Sequence, residues 1–197
     1  MAIGKRKSGG DFLPILKFNA KEGELRLVNR IFEGGEWSTR ETDVTQSFKA
    51  IADMEGLMVG WIKFPANSAP QTQLVPAGED YGEAPTKDYR EGVRLIFKMS
   101  REIDGSTREF MSTAIGVWAA IDELHDAYEE AAPDHPGKLP IVRLAKVVEQ
   151  STKQGTVYAP QFEIVGWADR PADMPVMKVR PVKPKTLSEE LNDDVPF

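Results

Sequence analysis

The chain has 197 residues, 41% of them hydrophobic and 28% charged, which is the composition of an ordinary globular protein and not of a disordered one. It has no cysteine, so disulfides, thiol nucleophiles and cysteine-rich zinc sites are excluded. The net charge of −6 argues at first against a polyanionic partner, yet Glu189, Glu190, Asp193 and Asp194 lie in the last twelve residues without a base, leaving −2 for the rest. Local fields therefore count for more than the sum.

In chain order, residues 1–10 carry Lys5, Arg6 and Lys7 with no apolar run behind them, so they read as a flexible basic arm and not as an export signal. No apolar run approaches the roughly 20 residues of a membrane span, and the chain reads as soluble and cytoplasmic. Short alternating segments at Phe12–Phe18, Leu25–Phe32, Leu57–Phe64, Val93–Met99, Leu139–Val148 and Tyr158–Trp167 predict strands. Within the second, Leu25, Leu27 and Ile31 share one face while Arg26 and Arg30 share the other. Within the fourth, Val93, Leu95, Phe97 and Met99 oppose Arg94, Ile96 and Lys98. Residues 65–91 are rich in proline and glycine and predict a long loop or insertion. Val117, Ile121, Leu124 and Tyr128 recur at helical spacing, with Ser112 or Thr113 as the cap and Pro133 as the stop. Residues 11–169 thus form a mainly β body with one helix before its last strands. Residues 170–185, with Pro171, Pro175, Pro181 and Pro184 among basic side chains, predict a semi-rigid linker. Residues 186–197 form the acidic tail.

The tail ends in Asp193-Asp194-Val195-Pro196-Phe197. A terminal phenylalanine offers a ring and a free carboxylate at one point, a pair that a shallow apolar pocket with a basic rim can capture; the two aspartates add attraction and the proline limits the entropy lost on ordering. This pentad resembles the acidic tip of bacterial and phage single-stranded DNA-binding proteins. The stretch from Gly155 to Pro171 is similar to the closing-strand region of the phage or prophage type. The resemblance implies an OB-fold, a five-stranded Greek-key barrel, with the helix between the third and fourth strands and a disordered C-terminal tail. It further implies a non-enzymatic protein that coats and protects single-stranded DNA in replication, recombination and repair, recruits partner enzymes through the tip, and forms a homo-oligomer. The Pro-rich linker and the 65–91 insertion depart from the bacterial pattern.

Binding single strands without sequence preference needs cations along the backbone and rings on which bases stack. Lys17, Arg26, Arg30, Lys63, Arg94, Lys98, Arg143, Lys146 and Lys153 are the outward basic candidates, and Trp37, Trp61 and Tyr158 the principal rings, with Tyr81 and Tyr89 as further candidates. Trp61 and Lys63, two apart on a strand, share a face. Phe97, Phe162 and Trp118 are assigned to the core. No cofactor is implied. His125 and His135 are not at zinc-protease spacing, no phosphate-cradling glycine loop with Lys-Ser/Thr occurs, and Glu129, Glu130 and Asp134 read as solvated acids at a helix end. The alternative is an interaction or assembly module whose acidic tail binds a basic partner and whose body never meets DNA.

Overall fold

The computed structural model describes residues 13–66, 68–152 and 155–176. Along the chain run β1 (Ile15–Asn19), β2 (Glu24–Glu33), β3 (Glu36–Asp43), β4 (Lys49–Ala52), β5 (Met58–Lys63), β6 (Gln71–Pro76), β7 (Arg90–Met99), β8 (Thr107–Ser112), α1 (Ile115–Ala131), β9 (Lys138–Thr152) and β10 (Gly155–Asp169). The predicted strand segments within the described residues all fall on strands. The protein is mainly β, in a single ten-stranded sheet with the path β10-β9-β4-β7-β8-β1-β2-β3, from which the β5–β6 hairpin branches at β7.

At the centre β4, β7 and β8 pair antiparallel in succession, and β9 returns through α1 to lie antiparallel beside β4. The spatial order β9-β4-β7-β8 is that of a Greek key, whose fourth strand closes beside the first by a long connection. Outside this key, β10 pairs with β9 across a long hairpin with two register shifts. On the other side β1 joins β8 in parallel and opens the antiparallel meander β1-β2-β3. The two arms then curl toward each other: the Tyr158 amide donates to the Ala20 carbonyl at 2.7 Å. Gly23, at φ +73°, makes that approach possible, because a Cβ there would stand 3.0 Å from both the Tyr158 ring and a Val147 methyl.

The concave side holds the core. Leu16, Leu25, Leu95, Phe97, Phe110 and Val142 are buried there, and the helix presses Val117, Ile121 and Leu124 onto it. Phe97 meets Phe48 and Phe110 edge to face at 5.6 and 5.8 Å, the arrangement that ring quadrupoles favour. Gly116 lets the helix settle on β10, since a Cβ there would lie 2.8 Å from the Ala159 methyl. Arg108 fastens the N-terminal meander to the key. Its side chain is 2% exposed and donates to Asp104 at 2.6 Å, Asn29 at 2.8 Å and the Ile15 carbonyl at 3.2 Å.

Four expectations are corrected. The ten-stranded sheet is larger than a five-stranded barrel, because β1–β3 and β5–β6 add strands. The 65–91 segment is not all loop: Gln71–Pro76 pairs with β5, and Arg90 and Glu91 already belong to β7. The helix N-cap is Ala114, without a side-chain cap; the Ser112 hydroxyl instead accepts from the Ala114 amide just before it. The start of the 170–185 linker packs on the body, through Arg170 and Met174.

Candidate nucleic-acid interface

Residues directly opposite in a ladder point to the same side of the sheet, so the register carries one convex face across most strands. Lys49 stands opposite Arg143, Ile51 opposite Lys98, Ile96 opposite Glu109, Ile15 opposite Glu109, Lys17 opposite Arg26, and Arg30 opposite Thr39. Of the sequence candidates, Lys17, Arg26, Arg30, Trp37, Arg94, Lys98 and Arg143 therefore share this face. Acids are interleaved with them. Arg26 bonds Glu22 and Glu24 at 2.5 Å and Glu41 at 3.0 Å, which holds its guanidinium above its ordinary pKa, chiefly through the hydrogen bonds to Glu24 and Glu41. Lys17 lies 3.9 Å from Glu41. Arg94 pairs with Glu109, Arg143 with Glu163, and Lys98 with Asp173. The Lys17 and Arg143 pairs are open to solvent, where such pairs stabilise by up to about 1 kcal/mol and a phosphate can exchange with the carboxylate, whereas Arg26, Arg94 and Lys98 are half-buried in theirs.

The β2–β3 ribbon carries the open part of the face. The Gly34-Gly35 turn, both residues at positive φ, is the two-residue hairpin that glycine permits, and its register sets Phe32 opposite Trp37. The two rings lie 5.1 Å apart and are 57% and 70% exposed. Arg30, on the same side, is exposed, has no carboxylate partner among the described residues, and with Trp37, Ser38 and Thr39 lines a shallow depression. A cation and two rings thus project from one strip of backbone. Phe32 was not among the sequence candidates, although the glycine pair after it fixes its position opposite Trp37.

Lys146 and Tyr158 come together elsewhere, in a groove of about 500 Å³ between the β1–β2 turn and the β9–β10 hairpin. Thr45 and Gln46 form another wall. Their turn is held by Asp43, whose carboxyl is kept below its ordinary pKa by donation from the Thr45 hydroxyl and amide. Lys146 is exposed and Tyr158 half-buried against the core.

Trp61 and Lys63 share a face as expected, but that of a different patch. The Trp61 indole donates to the Gly82 carbonyl at 3.1 Å and meets Tyr81 edge to face at 5.7 Å. Tyr81, its hydroxyl pushed up by burial and by nearby Glu91, donates to Glu91 at 3.2 Å. Lys63 pairs with Asp88 at 3.2 Å, and Tyr89 donates to Gln71 at 3.3 Å. The insertion is thus tied to its hairpin by the residues proposed to stack and bind. Phe97 is buried, and Phe162 and Trp118 pack against the core, as assigned. Lys153 and the tail residues Asp193, Asp194, Val195, Pro196 and Phe197 lie outside the described residues, as does the 1–10 arm.

Two features escaped the sequence reading. Asp53, buried, accepts from Arg170 at 2.5 and 3.0 Å, and Arg170 also reaches Glu55 at 2.9 Å. Met174, 3% exposed, packs with Ile96, Leu139, Leu13 and Ile51. Residues 170–176 therefore form a strap over the convex face beside Lys98, which explains why Ile96 is buried on the side opposite the main core. Among the described residues, His125, Asp126 and Glu129 bring potential ligand atoms within 4.8 Å of one another, on a half-buried to exposed helix surface. His135 stacks on Trp167 at 4.4 Å. No described helix is long and apolar enough to cross a membrane. Comparison with protein-family models, with curated proteins and with solved structures finds no match.

Proposed function

We propose that this protein binds single-stranded DNA without sequence preference, coats and protects it in replication, recombination and repair, and recruits partner enzymes through its C-terminal tip. The observation that carries the reading is the β2–β3 ribbon, where Arg30, Phe32 and Trp37 stand exposed on one face. Bases stack on exposed rings whatever their identity, at about 1–3 kcal/mol per base, while an adjacent guanidinium holds the phosphate. Strand passage continues along the convex face by exchange of carboxylate partners for phosphates.

The OB-fold reading rests on β4, β7, β8, β9 and β10. Taken as barrel strands one to five, they form the Greek key with its added strand, and α1 falls between the third and fourth. OB-folds bind oligonucleotides on strands two and three and on the loops between strands one and two and between four and five. Here these are β7 and β8, the 53–89 segment with its β5–β6 hairpin, and the connection from β9 to β10. The β1–β3 meander extends the β8 side of that surface toward Trp37.

The tail supplies the second activity. Phe197 offers ring and carboxylate to a partner pocket, and Glu189, Glu190, Asp193 and Asp194 compete with phosphates for the same cations when DNA is absent. A gel-shift titration with poly-dT, poly-U and duplex, on the full chain and on a chain ending at residue 185, tests both parts. The expected result is retention of poly-dT over duplex, with tighter binding by the shortened chain at low salt. Failure to shift any nucleic acid would favour the interaction module instead.

A further inference from the structure

The sheet path ends at three free edges among the described residues, and they are unequally protected. β10 carries Pro160 and two register shifts and has α1 packed along it. β6 ends in Pro76, and the following segment folds back onto its hairpin through Tyr81 and Tyr89. β3 has no proline, no register shift and no covering element, and all eight of its residues are exposed. With only its charged side chains Glu36, Arg40, Glu41 and Asp43 as a guard, such an edge strand is a template for pairing with a chain whose charges complement them.

The Val44 amide donates to the Leu25 carbonyl, in line with the β2–β3 register. Alternate residues back along the strand therefore turn their amides and carbonyls to β2, and Trp37, Thr39, Glu41 and Asp43 turn theirs outward. A second copy of the chain presents the same strip, and a two-fold axis normal to the sheet runs the two strands antiparallel. With the axis at Ser38, Trp37 of each copy exchanges backbone hydrogen bonds with Thr39 of the other. Glu36 then stands opposite Arg40 twice, and no like charges oppose each other. Centring the axis one residue later, at Thr39, pairs no opposite charges, and two later it sets Arg40 against Arg40. Charge complementarity thus selects one register.

We infer that the protein self-associates by antiparallel pairing of β3 with β3 of a second copy, centred on Ser38. The contact is small by the standard of stable interfaces, so the association is expected to be weak and concentration-dependent. This inference does not depend on what the convex face binds. If that face binds single strands as proposed, pairing sets two Arg30–Phe32–Trp37 clusters side by side on one continuous surface.

Sedimentation equilibrium of the full chain without DNA, over a range of concentrations, tests it with three variants. Thr39→Pro removes an outward amide while leaving the bonds to β2, as edge prolines do, and is expected to give monomer. Arg40→Glu, which sets like charges opposite twice, is expected to weaken the dimer roughly tenfold, and Glu36→Arg with Arg40→Glu to restore it. All three positions are exposed, and unchanged circular dichroism confirms that each variant folds. A wild-type chain that stays monomeric, a dimer indifferent to Thr39→Pro, or one not rescued by the charge swap overturns the inference. So does a chain that dimerises only after residues 1–10 or 186–197 are removed, which would mean that its own ends cover the edge.

Discussion

Trp37 leaves 70% of its surface exposed next to Phe32 at 57%, and burial does not explain its presence on β3, whose other residues are all polar. Trp37→Ala is therefore expected to leave the urea midpoint unchanged while weakening oligo-dT binding about tenfold or more, the loss of one stacked base. Arg30→Ala is expected to weaken binding and to lower the slope of log affinity against log salt by about 0.7, one phosphate contact. A slope unchanged in this variant would remove Arg30 from the contact set. Arg170 belongs to the opposite class, since it is the partner of a buried carboxylate, Asp53, at 2.5 and 3.0 Å. Arg170→Ala leaves that charge uncompensated and is expected to cost about 3 kcal/mol in urea unfolding; a cost below about 1 kcal/mol, as for an exposed pair, would contradict its role.

At the scale of elements, the approach of β10 to the β1–β2 turn depends on Gly23. Gly23→Ala is expected to destabilise by about 1–2 kcal/mol, because an L side chain at positive φ is strained and its methyl would press on Tyr158. The strap responds to acid. Asp173 is held below its ordinary pKa, first by the hydrogen bond from Lys98, and Asp104 is lowered too, burial there being outweighed by donation from Ser106 and Arg108. Around the depressed values the unfolded chain binds more protons, so their contribution is complete above the ordinary aspartate pKa and is lost as pH falls through the folded one. Unfolding midpoints are thus expected to fall below about pH 4, and less steeply in Asp173→Asn. What could be read from the sequence follows the same physics. Strands such as Leu25–Phe32 and the helix through Val117, Ile121 and Leu124 announce themselves because one face is buried. β3 does not: its residues from Glu36 to Asp43 are all exposed, so no alternation marks them, and only the Gly34-Gly35 pair signals the return strand. Residues 170–176 look like linker by composition, and nothing local in Arg170 or Met174 foretells that Asp53 and Ile96 wait for them across the sheet.

For the whole molecule, the mainly β class and the helix before the last two strands were legible, whereas the added strands at the β8 edge and on β7 were not, since pairing between distant segments leaves no local trace. Lys17, Arg26, Arg30, Arg94, Lys98 and Arg143 were legible as sharing the side away from the core, but the carboxylate partners were not: Glu41, Glu109 and Glu163 meet Arg26, Arg94 and Arg143 only through strand register. Among the described residues the resulting surface is one of ion pairs with one open strip, and in the proposed mechanism the acidic tail competes for the same cations. The most direct test is tryptophan fluorescence during titration with oligo-dT at several salt concentrations, for the full chain and Trp37→Ala. The account predicts quenching that fades steeply with salt and is largely lost in the variant; emission unchanged by DNA at low salt would contradict it.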